Sequence, residues 1–203
     1  AAEILARVPA TAELALTAMA VAIVLAVPLG IGAAVWRGTL ADHAAMALSL
    51  AGVSIPNFWL GPLAAIVFAV ELGWLPVSGR GTWQHLVLPA ATLGAGLVAT
   101  LARITRTSLL DELREPYVHA FRNGLIPIVT ILGLQFGAVL TGTVITETIF
   151  AWPGIGRLLV QSIGFRDYPL VQGCILLIAV TYTAMNLLTD LAYGLLDPRI
   201  RLE

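Results

Sequence analysis

Residues 111–123 read DELREPYVHAFRN, a cluster of acids, arginines, a histidine and aromatics in a chain that is otherwise almost continuously apolar. The charge vanishes again at once in 124–133, GLIPIVTILG. A short charged island between two long apolar stretches is what a chain shows where one helix leaves a bilayer and the next returns to it. The outgoing helix is expected to stop before Pro116, because the residue ahead of a proline disfavours the helical region. On that helix Leu109, Leu110 and Leu113 share one face, and Asp111 and Arg114 are spaced to pair.

Composition agrees. The chain has 203 residues, of which 59% are hydrophobic and 11% charged, against about 25% charged in a soluble domain. Its mean hydropathy is +0.91. It lacks the polar surface a soluble fold would need, so the fold class is all-α and polytopic in a membrane. The net charge of −1 gives no reason to expect a nucleic-acid partner. Every basic residue besides histidine is arginine, which excludes a lysine Schiff base and a P-loop lysine. The single cysteine, Cys174, sits in an apolar run and reads as a small buried hydrophobe. His43, His85 and His119 lie far apart and show no metal-binding spacing, so no metal is expected. Gly154-Ile155-Gly156-Arg157 lacks the ending of a phosphate loop. No catalytic cluster is visible, and the chain is not read as an enzyme. Its start, AAEILARVPATAE, lacks the basic region and apolar core of a signal peptide.

Working outward from the island, five stretches are long enough to span a bilayer, which takes about 20 residues. They run from about Leu14 to Trp36 after a start set by Pro9, from Ala44 to Val70, from His85 to Glu115, from Gly124 to Thr146, and from Val171 to Leu196. Pro56 and Pro62 predict a break in the second near SIPNFW. Arg37, Arg103, Arg106, Arg114, Arg122, Arg199 and Arg201 fall on one side; Arg7, Arg80, Arg157 and Arg166 fall on the other. The positive-inside rule therefore puts 37–43, the island and the C-terminus in the cytoplasm. Residue 1 is then outside, which a further N-terminal span would explain.

The outer segment 147–170 carries Ile155, Leu158, Leu159 and Ile163 on one helical face, introduced by Trp152-Pro153-Gly154. It is too short to span and predicts an interfacial or re-entrant helix. Phe150, Trp152, Phe165 and Tyr168 suit an aromatic belt. Glu147 has no catalytic partner in sequence and reads as an anchor of this outer loop. Polar residues within spans are few. Gln135, Thr141, Thr143 and Asn186 either bond between helices or line a water-filled path; Asp190 reads as an arginine partner. Gly133 and Gly137 form a GxxxG helix-packing motif, within the chain or between subunits. Arg114, Glu115, Pro116, Tyr117, Val118, His119, Arg122 and Asn123 read either as a solvated loop or as a docking surface for a cytoplasmic partner.

Longer stretches carry a resemblance. HAFRNGLIPIVTILGLQFGAVLTGTVITETIFAWPGIGRLLVQSIGFRDYPLVQG and NLLTDLAYGLLDPRIR resemble the permease subunits of bacterial ABC peptide importers. VSIPNFWLGPLAAIVFAVELGWLPVSGRG and HLVLPAATLGAGLVATLARITRTSLLDEL are similar to the same family, and to the B-type subunit of dipeptide and oligopeptide permeases in particular. The resemblance covers essentially the whole chain. It implies a type I importer transmembrane domain in the bacterial inner membrane, with a six-helix core. It also implies a second homologous permease, two cytoplasmic ATPase subunits that hold the ATP and Mg, and an extracytoplasmic substrate-binding protein. The cargo it implies is a short peptide; nickel or another small solute is the alternative within the family. An ion-coupled secondary transporter using Asp190 or Glu147 is the alternative of another class. Two departures are expected. The family's first span is absent, and a coupling segment of roughly twenty residues, about 30 Å if helical, is missing where Tyr117, Val118 and His119 run together: it is either omitted from this sequence, which the well-matched flanks favour, or deleted, in which case the protein should not couple to ATP.

Overall fold

The computed structural model describes residues 1–112, 135, 139 and 143–196. Helix α1 spans Ala2–Val35, α2 Leu40–Ser54 and α3 Asn57–Ala64, which continues as a π-helical stretch over Ala65–Glu71. Helix α4 spans Trp83–Glu112. Residues 143–149 are helical. Helix α5 is Ile155–Phe165 and α6 is Tyr168–Leu196. Among the described residues, three helices are long and apolar enough to cross a membrane, or four when α2 and α3 are taken as one broken span. The predicted fourth span, 124–146, falls almost wholly outside the described residues. So do the Gly133–Gly137 motif and the partner of Asp111.

The core is built on small residues. Leu14, Ala18, Ala22 and Ala26 recur every four positions along α1 and are fully buried. They meet Leu93, Leu97, Leu101 and Ala102 of α4. Lipid tails are as apolar as leucine, so helices in a bilayer associate through close van der Waals packing and hydrogen bonds, which small side chains permit. The approach is closest at two glycines. A Cβ on Gly94 would lie 3.2 Å from the Ala18 carbonyl oxygen, and one on Gly30 would lie 2.7 Å from that of Ala102.

The break between α2 and α3 falls where the sequence places it. Ile55 is extended, Pro56 caps α3, and the two helices meet at 102°. Pro56 has no N–H to give to Gly52, four residues back, so the helix cannot run through.

Two expectations are corrected. Helix α1 starts at Ala2, not Leu14, and Pro9 lies inside it. The extra turns are held by packing, since Ile4 clusters with Ile155 and Leu158 of α5 and Cys174 of α6, and prolines are tolerated in membrane helices. Phe150 and Trp152 are buried rather than part of a surface belt, whereas Phe165 and Tyr168 are exposed. Asp190 is exposed and forms no ion pair among the described residues, but Arg114, Arg122, Arg199 and Arg201 lie outside them, so its expected arginine partner does too.

Candidate functional site: an outer knot and a cleft at the helix break

The outer end is organised around one buried carboxylate. Glu147, on the last turn of helix 143–149, has no solvent exposure. Its Oε1 accepts the Thr11 hydroxyl at 2.6 Å. Its Oε2 accepts the Arg157 N–H at 3.0 Å, in the first turn of α5. The Thr11 oxygen in turn accepts the Ile155 N–H at 2.8 Å. A helix leaves its first N–H groups without partners and carries partial positive charge there. Here a glutamate from another helix and a threonine from α1 supply the missing acceptors.

The turn that permits this is tight. Ala151 is left-handed at φ 52°, and the Trp152 N–H returns to the Glu147 carbonyl at 2.9 Å. The indole is thereby tucked inward, and its Nε1–H donates to the Ala10 carbonyl at 2.8 Å. Pro153 follows and Gly154 caps α5. Gly154 and Gly156 are required sterically: a Cβ on either would run into the Glu147 carboxylate, and one on Gly156 also into the Val144 backbone. Arg157 reaches back to the Ala151 carbonyl. Above the knot, Arg80 pairs with Glu13 and lies 5.7 Å from the Trp152 ring centroid. Gly79 donates its N–H to the Phe150 carbonyl at 3.0 Å. The knot thus ties α1, the α3–α4 loop, helix 143–149 and α5 into one unit. Of the predicted outer residues, Glu147, Trp152, Pro153 and Gly154 all belong to it. In α5, Ile155 and Leu158 are buried and Leu159 half-buried, but Ile163 turns outward and Ser162 takes its place.

The predicted path residues are not brought together. Gln135 lines a cleft of about 340 Å³ at the α2–α3 break, with Gly52, Val53, Ile55, Asn57 and Thr100 in its walls. Thr143 is buried and lines a separate apolar cavity of about 180 Å³ between α1, helix 143–149 and α6. Asn186 is half-buried on α6 and borders neither. Thr141 and the whole coupling set, Arg114, Glu115, Pro116, Tyr117, Val118, His119, Arg122 and Asn123, lie outside the described residues.

Four participants escaped the sequence reading. Thr11 is a lone hydroxyl in an apolar helix with no local signal. Arg80 and Glu13 are distant in sequence. Asp42 was findable, because Thr39-x-x-Asp42 ahead of an apolar run is a helix-start signature. Asp42 accepts Arg106 through both oxygens, at 2.6 and 2.7 Å, and the Gly38 N–H at 3.0 Å. It closes the end of α1, α2 and α4 opposite the one that Glu147 closes.

The family described as binding-protein-dependent transport system inner membrane component matches residues 26–123 and 117–202. The chain belongs to it: it is a permease component of an ABC importer, a multi-pass protein of the inner membrane. The glutathione transport system permease protein GsiC of Escherichia coli K12 is 43% identical over 215 aligned positions, covering 98% of this chain and 70% of GsiC. The GsiC of Salmonella typhi is 42% identical with the same coverage. The fold is similar to that of the MetNI methionine ABC transporter in its inward-facing form, with a TM-score of 0.75 at 16% identity over 96% of each chain. It also resembles an amino acid ABC transporter solved with histidines, with a TM-score of 0.65 at 16% identity over 98% of this chain and 94% of the other. The two family matches overlap at 117–123, and the alignment to GsiC is longer than the chain's own 203 residues.

Proposed function

We propose that this chain is the B-type permease of an ATP-driven importer of short peptides and forms half of the translocation path. The observation that carries the reading is the 43% identity, over 98% of the chain, to a permease named for glutathione, a tripeptide. The other half of the path comes from a second homologous permease. Two cytoplasmic ATPases bind the ATP and Mg, this chain binding no cofactor itself, and an extracytoplasmic protein delivers the peptide to the outer end. The outer knot serves as a rigid lip of the gate. Closure of the ATPases reaches the spans through the 114–123 segment. The overlapping family matches support a coupling segment in relatives between Tyr117 and His119, and ATP coupling requires that the working protein carry it.

The test is reconstitution. Co-expressed with its partner subunits, the chain is expected to co-purify with the ATPases and to support ATP-dependent peptide uptake into proteoliposomes. Uptake that persists without ATPase and collapses with an ionophore would replace this reading with ion coupling. Arg122→Glu combined with Tyr117→Ala is expected to weaken ATPase association while membrane insertion stays intact.

A further inference from the structure

The cleft at the α2–α3 break has a chemistry of its own. Two amide-bearing residues line it, Asn57 from the first turn of α3 and Gln135 from another wall. Both are half-buried, and neither amide has a hydrogen-bond partner among the described residues. Gly52, also in the wall, keeps a carbonyl without its usual donor, because position 56 is proline. Close by, Gly52 and Gly96 leave the walls free of bulk. No carboxylate, guanidinium or imidazole is among the described lining residues.

An amide side chain offers one acceptor and two donors, which is the complement of a peptide bond's N–H and C=O. Two such groups beside a free carbonyl, with no charge nearby, match a neutral backbone and ignore side-chain identity. A transition-metal dication such as nickel would select imidazole or thiolate donors instead. We infer that this cleft is a substrate contact in which Asn57 and Gln135 hydrogen-bond the peptide backbone of the cargo. The inference rests on the peptide-importer reading and adds how the cargo is held.

The experiment uses the assembled importer in proteoliposomes and two probes: an unmodified tripeptide, and the same tripeptide N-methylated at its internal amides. Uptake of each is measured for the wild type and for Asn57→Leu and Gln135→Met, which keep side-chain volume and delete the amides. Losing one neutral hydrogen bond changes an equilibrium by a factor of about five. The wild type is therefore expected to favour the unmodified peptide by about five- to twenty-fold, and each variant to bring the ratio toward one. The ratio is taken within one preparation, so a lower yield of folded complex cancels. Unchanged ratios in both variants would overturn the cleft assignment while leaving the importer reading intact. A wild-type complex that takes up neither peptide would overturn both.

Discussion

Thr11 on the first helix donates its hydroxyl to the carboxylate of Glu147, 136 residues along the chain, at 2.6 Å, while accepting the N–H of Ile155. One hydroxyl thus satisfies a buried acid and a helix start together. Thr11→Val keeps the shape and removes both bonds. An unsatisfied buried polar group costs about 1–3 kcal/mol. Thr11→Val is therefore expected to destabilise the protein by about 2–4 kcal/mol, with Thr11→Ser close to wild type. Thermal unfolding in detergent or nanodiscs checks this, as does faster protease cleavage within 150–168. A valine variant as stable as the serine variant would show that the hydroxyl carries no such role.

The glycines at the start of α5 give a signed comparison. A Cβ at Gly154 collides with the Glu147 carboxylate and one at Gly156 with the Val144 backbone, whereas at Gly164, in the same helix, it meets nothing within 4 Å. Gly154→Ala and Gly156→Ala are expected to lose more than about 2 kcal/mol through overpacking. Gly164→Ala is expected to gain about 0.5–1 kcal/mol through helix propensity. Melting temperatures of the three variants in one detergent decide it. Equal shifts would mean that both the Glu147 carboxylate and the Val144 backbone give way.

Hydropathy made the spans legible, and Pro56 made the break legible, because each is a local property of the chain. The outer helix could be placed from its periodicity, but not the inward tuck of Trp152, whose indole is claimed by a carbonyl 142 residues away. The same holds for Thr11. A single threonine among alanines looks like any tolerated hydroxyl until the fold brings Glu147 beneath it. Gln135 was singled out as polar within a span, and it does line a cleft. Its neighbour there, Asn57, read only as part of the break. Pairing across helices is a long-range property, and a pattern along one strand of sequence does not carry it.

The two ion pairs are expected to differ in strength. Asp42 is 2% exposed and held by Arg106 through two parallel bonds, whereas Arg80 and Glu13 are each 41% exposed. An exposed pair is worth about 0–1 kcal/mol. Removing one partner of a buried pair costs about 3–5 kcal/mol; with Arg106 partly exposed, the expected loss for Asp42→Asn is nearer 2 kcal/mol. Arg106→Lys is also expected to weaken the protein, since an ammonium cannot reproduce the fork. Glu13→Gln is expected to change stability by less than 1 kcal/mol. Double-mutant cycles on each pair, followed by thermal unfolding, give the coupling energies. A larger coupling for Arg80–Glu13 would reverse this ranking.

The interlock of α1 with α4 is testable at two glycines half a turn apart. At Gly30 a new Cβ would sit 2.7 Å from the Ala102 carbonyl oxygen and close to Thr105, both fixed by the body of α4. At Gly32 it would touch only the Trp36 ring, at 3.4 Å, and that ring is exposed and free to shift. Both positions otherwise gain helix propensity from alanine, about 0.5–1 kcal/mol. Opposite signs follow: Gly30→Ala is expected to lose about 1–3 kcal/mol by forcing the helices apart, and Gly32→Ala to be neutral or slightly stabilising. Gly30→Ala is also expected to weaken the Asp42–Arg106 pair, because Thr105 directly precedes Arg106 on α4, and displacing that turn moves both. Unfolding of both variants, each with and without Arg106→Ala, measures that coupling. Additive losses would confine the clash to the site itself, whereas a smaller loss on the Arg106→Ala background would show that the packing of α1 on α4 positions the Asp42–Arg106 pair.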